Sequence, residues 1–198
     1  MSNKGYGFEA EIESFFLDLT EKKRVDPIIC TNGTFNRSFR IPCSGAMASM
    51  KGDVVGILPH LSKFIKVECK HRYEYTKKNG QFICVLKEWI DKNNEEADAD
   101  NQISMLVIAF KRVQVGRCWF IIEQPYLYDC ATYIPTVVRV DGCIKQGKSD
   151  KNPCFHLYKN LLLNSLNPKN YLEMGIFNIW GRNFYIISKG TMYRMLKN

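Results

Sequence analysis

The chain has 198 residues, 45% of them hydrophobic, and carries 28 Lys/Arg against 20 Asp/Glu for a formal net charge of +8. That length suits one domain of ordinary size with a real core, and the longest apolar run, Met105 to Phe110, falls far short of the roughly 20 residues a membrane span needs. The surplus charge favours an anionic partner such as nucleic acid and is uneven: residues 1–123 hold 18 basic and 16 acidic residues, a net of +2, and residues 124–198 hold 10 and 4, a net of +6.

Phe8, Ile12, Phe15, Phe16 and Leu19 recur at helical spacing with Glu9, Glu11, Glu13 and Asp18 between them, which predicts an amphipathic first helix. From Arg24 to Asp53, turn chemistry surrounds two short strand candidates, Pro27 to Thr31 and Arg37 to Ile41. Strands are expected at Asp53 to Leu58 and Phe64 to His71. A second helix is marked by Phe82, Val85, Leu86, Trp89 and Ile90, and the acidic stretch Asn93 to Asp100 reads as an exposed loop. Ile103 to Phe110 and Cys118 to Glu123 form the strands of a predicted hairpin. The remainder reads as a strand at Val137 to Ile144, a helix from Cys154 to Leu166, a strand at Phe184 to Ser188 and a closing helix from Thr191 to Lys197. Helices interspersed with strands predict an α/β or α+β class, with helices packed on a sheet. A core over residues 1–123 is expected to carry a basic extension, 124–198, packed against it.

The eight cysteines (30, 43, 69, 84, 118, 130, 143 and 154) show no Cys-x-x-Cys motif and no Cys/His cluster at zinc-ligand spacing. His60, His71 and His156 likewise have no partners at ligand spacing. Reduced, structural thiols in an intracellular, cytoplasmic protein are expected, and the early glutamates argue against a secretory leader.

In an extended strand Phe64, Lys66, Glu68 and Lys70 share one side, while Ile65, Val67 and Cys69 occupy the other. If Asp53, heading the preceding strand, lies beside Glu68, two hard oxygen ligands converge on a divalent cation with Lys70 one pleat along. Phosphodiester hydrolysis needs an in-line hydroxide, neutralisation of charge on the nonbridging oxygens and help for the departing alkoxide. Taken singly, Asp53 reads as a turn-terminating aspartate and Glu68-x-Lys70 as a surface ion pair; their combination points to chemistry.

Lys4-Gly5-x-x-x-Glu9, Arg40-x-Pro42-x-Ser44-Gly45, Gly52-Asp53 and Glu68-x-Lys70 stand in an order that resembles the PD-(D/E)XK nuclease superfamily. More narrowly, the chain is similar to archaeal-type Holliday junction resolvases, virus- and phage-borne relatives included. The likeness spans roughly residues 4–123 and continues into the strand pair at 103–111 and 117–123. It implies a restriction-endonuclease-like mixed sheet flanked by helices, a homodimer, dependence on Mg2+ with Mn2+ as a substitute, and paired nicking of four-way DNA junctions. By resemblance, Asp53, Glu68 and the Cys69 carbonyl hold the metal, Glu9 faces it directly or through water, and Lys70 orients or deprotonates the attacking water. Arg40 and Ser44 would contact the scissile backbone, with Lys51, Lys66 and Arg72 as further DNA contacts. Two departures stand out: Ala10 follows the helix glutamate where a basic residue is usual, and Gly52 replaces the usual proline before the first acid. The rival expectations are a restriction-like, nicking or homing nuclease acting on linear or flap DNA, and a DNA-binding protein of the same fold without turnover.

Overall fold

Phe8, Ile12, Phe15 and Phe16 are all buried, and seating that helical stripe on a sheet organises one side of the fold. The computed structural model describes residues 6–41, 52–72, 75–77, 80–110, 118–141, 144–149, 152–158 and 173–197. In chain order the elements are α1 (Tyr6–Leu19), β1 (Cys30–Thr31), β2 (Thr34–Phe35), β3 (Phe39–Arg40), β4 (Val54–Gly56), β5 (Ile65–Arg72), β6 (Tyr75–Lys77) and β7 (Gly80–Leu86). There follow α2 (Lys87–Ala99), β8 (Ile103–Phe110), β9 (Cys118–Glu123), α3 (Gln124–Cys130), β10 (Val138–Arg139), β11 (Lys145–Ser149), β12 (Asn152–Tyr158), β13 (Met174–Ile179), β14 (Arg182–Ser188) and α4 (Lys189–Leu196). No helix among the described residues is long and apolar enough to cross a membrane.

The class is α+β. An eight-stranded mixed sheet runs in the order β10-β13-β14-β9-β8-β5-β4-β3, beside a four-stranded sheet, β11-β12-β7-β6, and the small β1-β2 pair. β5 runs parallel to β8 and β10 to β13, while β3, β4, β9 and β14 join their neighbours antiparallel.

The central strands β8 and β9 are covered on both faces, which is why their sequences are nearly continuous in apolar residues instead of alternating. On one face Val107, Phe120 and Ile122 meet the α1 stripe together with Met192 and Met195 of α4. On the other, Leu106, Ile108, Trp119 and Ile121 meet Ile83, Val85, Phe155 and Leu157 of the smaller sheet, with Ile90 of α2.

Residues beyond 123 are woven into this architecture. β14 pairs with β9 from Phe184↔Glu123 to Ser188↔Trp119, and β12 pairs with β7. The expected extension therefore supplies three strands of the main sheet and two of the smaller one.

Several expected elements differ; of the strand expected at Val137 to Ile144, only Val138–Arg139 forms one among the described residues. Phe82 to Leu86 belong to strand β7, and the helix begins only at Lys87. The acidic stretch expected as a loop is helical through Ala99, because Ile90, Asn93 and Ala97 bury one face of α2. The expected helix at Cys154 is instead strand β12 as far as Tyr158, and its continuation to Leu166 lies outside the described residues, as does the 111–117 link of the β8-β9 hairpin.

Candidate active site

Strand β4 stops short of the length of its partner. The β4-β5 ladder pairs Val54 with Val67, Val55 with Lys66 and Gly56 with Ile65, so Asp53 stands at the strand head, level with Glu68, while β5 runs on to Arg72. Beyond that point the edge of β5 needs another acceptor for its backbone donors. Asp53 supplies one: its Oδ2 accepts a hydrogen bond from the Cys69 N–H at 2.7 Å. The Asp53 backbone is also held on both sides, by Asp53 N–H to Val67 O at 2.9 Å and Ile41 N–H to Asp53 O at 2.9 Å. The carboxylate is thereby anchored, mostly buried, beside the Glu68–Cys69 stretch of β5.

The preceding residue, Gly52, is held by its backbone conformation. Gly52 has φ +95°, and a Cβ there would lie 3.1 Å from Lys66 Cγ and 3.2 Å from Val67 O. Proline, fixed near a φ of about −65°, cannot adopt this backbone, and glycine adopts it without a steric cost.

The alternation read from the sequence of β5 holds. Ile65 and Val67 enter the core under α1, with Cys69 packed against it, whereas Lys66 and Lys70 face α2. The Lys70 ammonium donates to Glu68 Oε1 and lies 5.6 Å from the centre of the Trp89 ring. From the α1 side Glu9 arrives partly buried, with its Oε2 3.4 Å from Arg40 Nη1. Burial pushes the Glu9 carboxyl above its ordinary range; the Asp53 charge adds to this, Arg40 opposes it, and Glu68 contributes a smaller upward push. Enclosure, followed by the charges of Asp53, Glu9 and Glu68, also drives the Cys69 thiol well up, so that this side chain stays a neutral thiol.

Glu9, Arg40, Asp53, Glu68, Cys69 and Lys70 are thus brought to one edge of the sheet. Lys66 is not part of their surface. Its side chain is 1% exposed, and its Nζ lies 2.9 Å from Asn93 Oδ1 and 2.5 Å from Glu96 Oε2 beneath α2. The expected DNA contact is corrected accordingly, since an ammonium enclosed by a helix cannot meet a phosphate. Arg72 is the last residue of β5, and its side chain lies outside the described residues. Ser44 and Lys51, like the Lys4-Gly5 and Pro42-to-Gly45 parts of the motifs, also lie outside them.

Carboxylate oxygens are the donors a hard divalent cation takes, but as they stand Glu9, Asp53 and Glu68 do not converge as a ligand set. Each acid has its own partner: Cys69 N–H for Asp53, Lys70 for Glu68, Arg40 for Glu9. A cation would have to draw the Glu68 and Glu9 side chains off these partners. A cleft of about 550 Å³ lies elsewhere, among α2, β9 and α3, where Asp91, Glu95, Asp98, Glu123 and Asp129 outnumber Lys63 and Arg182. Its acidic lining repels phosphate.

Sequence reading missed one constellation. Cys84, Cys154 and His156 have ligand atoms all within 4.8 Å of one another, against the expectation that no cysteines and histidines cluster. The available signal was Cys154-x-His156, two residues on one face of a strand; reading that segment as a helix concealed it. No protein-family model, curated protein or solved structure matches this chain.

Proposed function

We propose that the chain is a divalent-metal-dependent endodeoxyribonuclease of the PD-(D/E)XK type that resolves four-way DNA junctions as a homodimer. The observation that carries this reading is the Asp53 carboxylate bonded to the Cys69 N–H, which joins the head of β4 to the Glu68-x-Lys70 triplet at a strand edge. A loop aspartate with no role beyond ending a turn does not require an acid, a lysine and a further helix acid around it.

Asp53, Glu68 and the Cys69 carbonyl would hold Mg2+ or Mn2+, with Glu9 bordering them. The bound cation would neutralise charge on the nonbridging phosphate oxygens and lower the pKa of water in its shell. Lys70, whose ammonium donates to Glu68, would orient the attacking water. Arg40, beside Glu9, would contact the scissile phosphate, a positioning role suited to a guanidinium. Paired nicks across a branch require two copies of one site, which is the reason for proposing a symmetric dimer. The net +6 of residues 124–198 supplies attraction for a polyanion.

The test compares a labelled synthetic four-way junction with its linear arms, each with and without Mg2+. Symmetric nicks restricted to the junction support the reading. Equal cutting of the arms assigns the chain to nucleases of linear DNA, and salt-sensitive binding without any cutting assigns it to non-catalytic DNA binders.

A further inference from the structure

We propose that Cys84, Cys154 and His156 form a zinc site on the outer face of the smaller sheet, separate from the carboxylate edge. β7 and β12 pair antiparallel, with His156 opposite Cys84 and Cys154 opposite Leu86. Ile83, Val85, Phe155 and Leu157 alternate with these residues and face the core, so both thiols and the imidazole project from the other side. Neither cysteine is held in a disulfide, and the three ligand atoms lie within 4.8 Å of one another. Tetrahedral zinc, with bonds of about 2.0–2.3 Å, sets neighbouring donors roughly 3.5–4 Å apart, a spacing that small side-chain rotations reach.

The surroundings are built around the imidazole. The Phe82 ring lies 4.4 Å from that of His156, with Tyr158 5.3 Å beyond Phe82, giving an aromatic wall that fixes the imidazole. On the neighbouring strand β11, Gly147 stands opposite Cys154, and a Cβ there would come 2.4 Å from His156 Nε2. The glycine leaves to the imidazole the space any side chain would fill. Cys154 is fully buried while Cys84 and His156 are partly exposed, so the group has one enclosed thiol and an open side from which an ion enters.

Two thiolates and an imidazole are soft and borderline donors, which select zinc over the magnesium suited to carboxylates. Binding releases the thiol protons, and two thiolates then balance the charge of the ion. Three protein donors leave a fourth position for water. Such an ion ties β12 to β7, which runs directly into α2, the helix whose Trp89 lies over Lys70 and whose Asn93 and Glu96 hold Lys66.

The experiment uses full-length protein kept reduced, stripped with a chelator, then titrated with Zn2+ and separately with Co2+. We expect a single zinc per chain retained through gel filtration, and a cobalt form with a thiolate-to-cobalt charge-transfer absorption and the intense visible bands of a tetrahedral site. Cys84→Ser and His156→Ala should each abolish retention, whereas Cys30→Ser, at an exposed thiol on the separate β1-β2 pair, should leave it intact. Failure of the unmodified reduced chain to retain zinc and to give the cobalt thiolate band overturns the proposal whether or not the variants fold. Full retention by folded Cys84→Ser, judged by circular dichroism, overturns it as well.

Discussion

Lys66 Nζ and Glu96 Oε2 lie 2.5 Å apart beneath α2, although Lys66 shares its strand face with Glu68 and Lys70. One face of one strand therefore serves two purposes. Position 66 fastens the sheet to a helix, while 68 and 70 stand where β4 has ended and the strand edge opens.

Removing the buried ammonium leaves Glu96 and Asn93 without their partner. Lys66→Met should destabilise the fold by about 2 kcal/mol, below the usual cost of breaking a fully buried pair because Glu96 keeps some contact with water. The loss should shrink when Glu96→Gln is added, because the two changes share one interaction. Denaturant unfolding of the single and double variants measures this, and junction affinity of the folded Lys66→Met protein should match that of the unmodified chain. A selective loss of affinity would return Lys66 to the DNA surface.

The backbone at Gly52 makes a second prediction. Alanine there meets the left-handed φ of +95° together with close approaches to Lys66 and Val67, so Gly52→Ala should cost roughly 1–3 kcal/mol, and Gly52→Pro more. Both displace Asp53, and thermal melts should fall in that order. A proline variant as stable as the parent would show that this turn does not need glycine.

Ending the chain after Glu123 would remove β14 and uncover the edge of β9, whose Phe120, Ile121 and Ile122 are all buried in the intact fold. The 1–123 fragment should be insoluble or lack a cooperative melt. A soluble fragment with a sharp thermal transition would establish residues 1–123 as an independent core.

Asp91 pairs with Lys87 within α2 and links the helix to β14 through Arg182 Nη1 at 2.5 Å. Partial burial alone would raise its carboxyl, but the hydrogen bonds from Lys87 and Arg182 more than offset this and hold it below the ordinary value. A carboxyl depressed in the folded state stabilises the fold above its unfolded pKa of about 3.9, and that contribution is lost as pH falls through the folded value. Asp91→Asn should thus be less stable than the parent at neutral pH, with the gap closing in acid. Unfolding midpoints that differ equally at pH 7 and in acid would contradict the assignment.

The legible parts of the sequence were those with one buried face. α1 showed its stripe because Phe8, Ile12, Phe15 and Phe16 pack on one side only, and β5 alternated because charged residues occupy its α2 side. β7 misled because apolar residues occupy both its faces; Phe82, Val85 and Leu86 then imitate helical spacing, although Ile83 and Val85 share one face and Phe82 lies on the other. α2 was hidden for the opposite reason. Its buried face carries Asn93, which donates to Ser104 Oγ at 2.7 Å and accepts from Lys66, so a polar network marks the contact where an apolar pattern was sought. Asp53 and Glu68 could be singled out from residue types and order, but the fixing of Asp53 by the Cys69 amide follows from where β4 ends, which no local pattern encodes.

The most direct measurement is cleavage of a four-way junction in Mg2+ by the unmodified chain and by Asp53→Asn, with binding followed in parallel. Metal-dependent paired nicks that fall by about 100-fold or more in Asp53→Asn, at little changed affinity for the junction, are the predicted result. An unmodified chain that cuts neither the junction nor its arms in Mg2+ or Mn2+, or an Asp53→Asn protein that cuts as well as its parent, would contradict the account.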